Sequence, residues 1–257
     1  IYTLSLHDAL PIWSARLNFK AAADGTPIKI VSGSRDTTFT VDKDWMTHYM
    51  EYKSDGTAMT IYGTITGLKC DHNFINLTAI DVSLNADLRE LICFDNKLTS
   101  LDLSNNTLLT GLACSDNKLT SLDLSKNTEL ETLECSYNRS LSSLDLSKNT
   151  KLTLLRCNEC KLTSLNIKYC KELRILDCSN NELQSLDVSR NKKLWDVRCY
   201  KNKFTTQTLD DLYCSLPDRT GTSYGYMAPI YSRWSEDSTL VRSEEHTSEL
   251  QSRSAIS

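Results

Sequence analysis

"LETLECSYNRSLSSLDLSKNTKL", residues 130–152, contains one full turn of a phrase that recurs along the chain. Its first half reads L-x-x-L-x-C-x-x-N and its second L-x-x-L-D-L-S-x-N-x-x-L. Within each half, apolar residues alternate with polar ones, which is the period of a strand with one buried face. Working outward, "LTSLDLS" occurs at 98–104 and 119–125, "LSSLDLS" at 141–147, "LTSLNIK" at 162–168 and "LQSLDVS" at 183–189. The first half is marked by Cys70, Cys93, Cys114, Cys135, Cys157, Cys178 and Cys199, spaced by 23, 21, 21, 22, 21 and 21 residues. A fixed period of this length describes a solenoid. One coil is too small to bury its own apolar edge, whereas stacked coils, about 4.8 Å apart as in a parallel sheet, bury a shared core.

Asparagine recurs after each half. Asn73, Asn96, Asn117, Asn138, Asn181 and Asn202 follow the first, and Asn85, Asn106, Asn127, Asn149 and Asn191 the second. At corners, its amide can bond the backbone of adjacent turns. The longer spacings fall at 73–77 and 138–141 and read as corner insertions that leave the strands in register.

The phrase "LETLECSYN…LSSLDLSKNTKL" resembles the cysteine-ladder repeats of internalin J-like bacterial surface proteins. It is also similar to leucine-rich repeats of predicted Bacteroidales surface proteins. The resemblance covers roughly 68–205. It implies a right-handed, curved leucine-rich-repeat solenoid, secretion, and adhesion to a host or surface. The motif residues it matches are core positions, so no ligand-binding residue carries over.

The cysteines need separate readings. The seven ladder residues stand where the second half has leucine, and pack as small apolar side chains. In-register strands hold Cβ atoms about 4.8 Å apart, wider than a disulfide's ~3.8 Å, so the ladder is expected to stay reduced. Burial keeps such thiols inert. Cys157 and Cys160 form a C-x-x-C pair, but Cys160 and Cys170 stand where other coils carry their two corner asparagines, at opposite ends of the strand expected at 162–168. A zinc site from Cys157, Cys160, Cys170 and Cys178 would need side chains from both sides of the solenoid to converge, so no metal is expected. Cys214, in "LYCSLP", is expected in the core of a C-terminal cap.

The flanks lack the repeat. "IKIVSG", "TTFTV" and "MTIYGTITGL" read as strands with turn signals at Asp24-Gly25 and Asp55-Gly56; 44–52 is ambiguous between strand and helix. Residues 13–67 are therefore a small β cap on the solenoid at 68–205. Leu209, Leu212, Tyr213 and Leu216 fall at helical spacing before Pro217, predicting a short helix in a cap or flank at 206–241. Residues 218–241, with Tyr224, Tyr226, Tyr231 and Trp234, either continue that cap or belong to a further domain.

Residues 1–12 and 242–252 each read as translations of DNA resembling sequencing-library adapters, and 253–257 fits the same source. On that reading both native ends are lost, and the tails at 1–12 and 242–257 are expected to pack poorly. The whole chain has a formal net charge of −4, and without the tails about −2. That balance gives no case for nucleic acid or an acidic membrane, and no apolar run is long enough to span a bilayer.

No catalytic constellation is evident. Outside the tails only His48 and His72 could pair with a cysteine nucleophile, and no G-x-S-x-G, H-E-x-x-H or phosphate-cradling glycine loop occurs at 13–241. The Asp81, Asp102, Asp123, Asp145 and Asp187 column could hold Ca²⁺, or be a solvated face offset by Lys126, Lys148 and Arg190.

The outward positions of the first strand remain. Lys69, Ile92, Ala113, Glu134, Arg156, Asp177 and Arg198 precede the ladder cysteines. Glu134, Arg156, Asp177 and Arg198 alternate in sign, which reads either as cross-strand pairing or, with Phe94, Tyr137 and Tyr200, as a recognition strip. The expected function is a non-catalytic, cofactor-free binding or adhesion module of a secreted or cell-surface bacterial protein. It would recognise a protein or glycan on its concave strand face through Phe94, Glu134, Tyr137, Arg156, Asp177, Arg198 and Tyr200. The alternatives are a recognition or spacer segment of a larger secreted enzyme, and a passive stalk.

Overall fold

The computed structural model describes residues 2–5, 13–54, 58–71, 77–217 and 226–228. Asn73, His72, the Asp55-Gly56 turn, Tyr224, Tyr231, Trp234 and the tail residues 1, 6–12 and 242–257 lie outside them. The strands of the N-terminal part are β1 (Tyr2–Ser5), β2 (Trp13–Lys20), β3 (Thr26–Ser32), β4 (Arg35–Val41), β5 (Met50–Ser54) and β6 (Ala58–Tyr62). The coils contribute β7 (Gly67–Lys69), β8 (Ala79–Asp81), β9 (Glu90–Ile92), β10 (Gly111–Ala113), β11 (Thr132–Glu134), β12 (Leu154–Arg156), β13 (Ile175–Asp177) and β14 (Asp196–Arg198). Helix α1 (Thr206–Ser215) and β15 (Tyr226–Ala228) follow.

The first half-phrase forms a parallel sheet. Strands β7, β9, β10, β11, β12, β13 and β14 pair in that order, with Leu68, Leu91, Leu112, Leu133, Leu155, Leu176 and Val197 directly abreast. These seven side chains and the seven ladder cysteines are buried. Every coil thus contributes inward leucines, each worth about 1.5–3 kcal/mol when fully buried.

The second half-phrase behaves differently from expectation. Apart from β8, its described segments are not strands and do not pair with one another in a sheet. In each Asp column member, Asp81 of β8 included, the carboxylate takes the amide of the residue two ahead, as in Ser104 N to Asp102 Oδ1 and Ser125 N to Asp123 Oδ1, both 2.9 Å. An amide bonded to its own side-chain neighbour is not offered to the adjacent coil.

The corners are held by asparagine amides. Asn117 Nδ2 donates to Cys93 O at 3.0 Å and Cys114 O at 3.1 Å, while its Oδ1 accepts from Leu98 N at 2.9 Å. Asn96, Asn138, Asn181 and Asn202 repeat the arrangement. Each such asparagine therefore ties its own coil to the one before. The residue before each corner turns left-handed, whether asparagine or Cys160 follows: Asp95, Asp116, Tyr137, Glu159, Asn180 and Lys201 have φ between 50° and 60°. Asp and Asn tolerate that region, whereas Tyr137, Glu159 and Lys201 hold it at a cost.

The N-terminal part continues the solenoid on two sides. Strand β2 runs antiparallel to β7 and β5, extending the parallel sheet, and a second sheet has the order β4-β3-β6-β1-β8. Ala15, Leu17 and Phe19 from β2 pack inward, with Phe19, Phe39 and Tyr52 forming an aromatic chain at centroid separations of 5.9 and 5.6 Å. The ambiguous segment at 44–52 resolves as irregular backbone leading into β5.

One stretch of the N-terminal tail departs from expectation. Tyr2–Ser5 is not loose but forms β1, antiparallel to both β6 and β8. Two strand edges facing one gap present unpaired N–H and C=O groups, and any short extended segment can satisfy them through its backbone.

At the other end, Thr205 caps α1 through a reciprocal exchange with Thr208. Leu212 is buried, and Val188 N donates to Ser215 Oγ at 3.3 Å. Cys214, expected in the core, is exposed: two residues beyond Leu212, it lies on the opposite side of the helix. Strand β15 then pairs parallel to β14, so the sheet continues past the helix.

Candidate functional site

The two cysteines of the C-x-x-C pair sit in different surroundings. Cys157 is fully buried between Cys135 and Cys178, and burial pushes its thiol well above the ordinary value. Cys160 occupies a corner, where it contacts Cys135 O at 3.5 Å, and burial pushes its thiol up to about 11. Cys170 behaves likewise at the other corner, also at about 11. All ten cysteines are free, and among the described residues no group of three or more His, Cys, Asp or Glu is placed to hold a metal.

Replacing asparagine by Cys160 should orphan the amide of Leu141, since in neighbouring coils Leu119 N and Leu162 N each bond an asparagine Oδ1 from the following coil. It does not. Leu141 N donates instead to Asn138 O at 2.9 Å. The extra residue at 138–141 makes this possible: Leu141 lies three positions after Asn138, the span of a tight turn, where in the coils at Asn96 and Asn117 the leucine lies two positions after the asparagine. The insertion and the missing asparagine compensate each other at Leu141 N, but Cys160 and Cys170 themselves make only sulfur contacts at 3.5–3.9 Å where other coils have asparagine N–H donors.

Thiol chemistry follows from these environments. In native conditions, a maleimide-type reagent should modify Cys214 fast and the nine buried cysteines slowly, and a chelator should leave the melting temperature unchanged. Mass spectrometry of labelled peptides checks the first outcome. A chelator-induced drop of several degrees would refute the packing account.

The Asp column carries out a structural task. Besides Asp102 and Asp123, Asp81, Asp145 and Asp187 accept from Ser83 N, Ser147 N and Ser189 N at 2.8–2.9 Å. These bonds hold all five carboxyls below their ordinary range.

The strand-lined face is where side chains are left over. At its N-terminal end it is covered by residues that periodicity did not flag. Trp45 lies between Lys69, 4.1 Å from the ring centre, and Lys20, 5.2 Å away, and Lys20 also pairs with Glu90. Tyr49 donates to Asp71 at 2.8 Å under Arg16, and burial together with that carboxylate raises its hydroxyl. Gly67 lies beneath: a Cβ there would stand 2.7 Å from both Lys20 and Trp45.

Beyond that cover the face is open. The expected alternation of paired charges is only partly formed. Arg156 pairs with Glu134 at 2.8 Å across β11 and β12, but Arg198 turns to Asp196 on its own strand at 3.0 Å, and Asp177 accepts from Ser179 Oγ at 2.6 Å. The exposed Arg156–Glu134 pair is worth at most about 1 kcal/mol. Phe94 and Tyr200 are half-buried on the residue after the ladder cysteine, while Tyr137 is exposed on a left-handed corner beside the strand. The exposed Trp195, at the second position of its cysteine phrase and just before β14, is a further aromatic beside this face.

No protein-family model and no curated protein matches the chain in sequence. Among solved structures, internalin C2 of Listeria monocytogenes superposes with a TM-score of 0.53 at 23% identity, over 58% of this chain and 67% of that one. The fold is that of a leucine-rich-repeat solenoid. Two further leucine-rich-repeat structures are similar over less of their length. Leptospira interrogans LIC12759 has a TM-score of 0.48 at 23% identity, over 51% of this chain and 36% of its own. The functional domain of InlJ from Listeria monocytogenes, which includes a cysteine ladder, has a TM-score of 0.36 at 28%, over 63% of this chain and 50% of its own. The present chain thus spans half or less of these two leucine-rich-repeat proteins. No helix among the described residues is long and apolar enough to cross a membrane.

Proposed function

We propose that the chain is a non-catalytic protein-binding module whose ligand lies on the open strand face between β9 and β14. The observation that carries this reading is the division of labour among side chains. Inward positions are consumed by leucine and cysteine, corner positions mostly by asparagine, and the Asp column by its own backbone, leaving the strand face free to vary. There, Phe94, Glu134, Tyr137, Arg156, Asp177, Arg198 and Tyr200 combine aromatic and charged groups of the kind that dominate interface energies. The likeness to internalin C2 and the cysteine-ladder phrase favour a bacterial surface or secreted setting, with adhesion as the role.

The test is selection of a random dodecapeptide phage library on the full chain, alongside a glycan array. Binders should lose about tenfold in affinity on a Phe94→Ala, Arg156→Ala, Tyr200→Ala triple variant whose melting temperature is little changed. Binders indifferent to that variant, or no binders at all, would support a passive stalk.

A further inference from the structure

Gly111 opens β10 and stands directly abreast of Glu90 and Thr132. Glycine weakens a strand, and in a strand interior it marks a bend or a place where something approaches the backbone closely. Nothing in the fold calls for it here. Its φ lies outside the left-handed region, unlike Gly25, Gly33 and Gly63. A Cβ would meet Thr132 Oγ1 at 3.3 Å and Glu90 Cγ at 3.5 Å, contacts that a turn of the exposed threonine relieves. Gly67, by contrast, is required by Trp45 and Lys20. Ala113, two residues on and facing the same way, is the smallest residue among the seven that precede the ladder cysteines.

Together these two positions sink a hollow of about 250 Å³ into the open face. Ile92 and Thr132 wall it, and Glu131 and Glu134 stand among its lining residues. Glu90 also lines it but is held by Lys20. Glu134 is shared with Arg156, whereas Glu131 makes no ion pair among the described residues. The lining is aliphatic below and carboxylate around, with no aromatic ring on which a sugar could stack.

We propose that this hollow seats a lysine or arginine side chain of a protein partner, its aliphatic stem on Gly111, Ala113 and Ile92 and its cation between Glu131 and Glu134. The inference rests on the binding role proposed for this face, and charge complementarity selects the occupant. Long basic side chains suit such a site because their stems bury against apolar surface while the charge stays at the polar edge.

The same dodecapeptide library, selected on the full chain, tests it with Gly111→Thr and Glu131→Gln. Selected peptides should be enriched in Lys or Arg. Their affinity should fall about tenfold on Gly111→Thr, which fills the hollow, and by a smaller, salt-sensitive factor on Glu131→Gln. The melting temperature of Gly111→Thr should stay level or rise, since threonine suits a strand better than glycine. Peptides lost on the Phe94, Arg156, Tyr200 variant but indifferent to Gly111→Thr would overturn the hollow and leave the binding face standing. Peptides indifferent to both, or none, would overturn both. Glycan binding lost on Gly111→Thr, without basic peptides, would overturn the class of partner.

Discussion

Asn117→Ala should lower the free energy of unfolding by roughly 2–4 kcal/mol, although the side chain touches no part of the binding face. The size follows from its bonds. Removing the amide leaves the buried Leu98 N–H without its acceptor and takes one donor each from Cys93 O and Cys114 O. An orphaned buried donor alone costs about 1–3 kcal/mol, and the lost volume adds to it. Asn117→Asp should be no better than alanine. It keeps the shape and the acceptor but sets a carboxylate against two carbonyl oxygens. Cys160→Asn, at the equivalent corner, should change stability little, because Leu141 N already has a partner in Asn138 O. Urea denaturation followed by circular dichroism checks all three. A loss below about 1 kcal/mol for both Asn117 variants would refute the bridging role of the corners.

Leu133→Ala should cost about 3–4 kcal/mol, within the range for fully buried leucines. Leu133 lies abreast of Leu112 and Leu155 in the middle of the parallel sheet and is fully buried. Since a coil touches only its neighbours, the damage should be local. Hydrogen exchange should accelerate most in β10, β11 and β12 and least in the N-terminal sheet. Cys135→Ala should cost less, about 1 kcal/mol, because a smaller group is removed; Cys135→Ser should cost more than alanine, since it places a hydroxyl in an apolar stack. Equal effects for alanine and serine would mean that the ladder is not the dry apolar column described.

Repetition is what made the solenoid legible. Seven cysteines at nearly constant spacing set the register of β7 and β9–β14, and the corner asparagines followed from the same alignment. The N-terminal sheets offered no second copy for comparison. The alternation of Ala15, Leu17 and Phe19 in β2 was present, but Ala15 is small and the stretch adjoins a tail set aside from fold reasoning. Cys214 was misplaced because helical spacing identifies an apolar stripe, and Leu212 rather than its neighbour two residues on defines that stripe here.

The candidate site was legible as a list of outward positions and not as a set of partners. Alternating signs in Glu134, Arg156, Asp177 and Arg198 do not reveal that Asp196 and Ser179 capture two of the four. The hollow at Gly111 is not legible in the sequence for a related reason: an outward glycine stands apart only from the left-handed and crowded glycines that the structure reveals.

The exchange between Asn138 and Leu141 sets a limit on how this array can be copied. Repeat proteins consist of stacked units that touch only their neighbours, and most coils here could be inserted before any coil that carries a corner asparagine, because each supplies one amide and requires one from the coil after it. The coil that begins at Asn138 supplies its own bond for Leu141, and the coil carrying Cys160 gives none back. Duplicated alone, the Cys160 coil would follow a coil that expects an asparagine, leaving one amide bare. Copied together, the two coils would satisfy each such amide, so a pair rather than a single coil can be repeated here without loss.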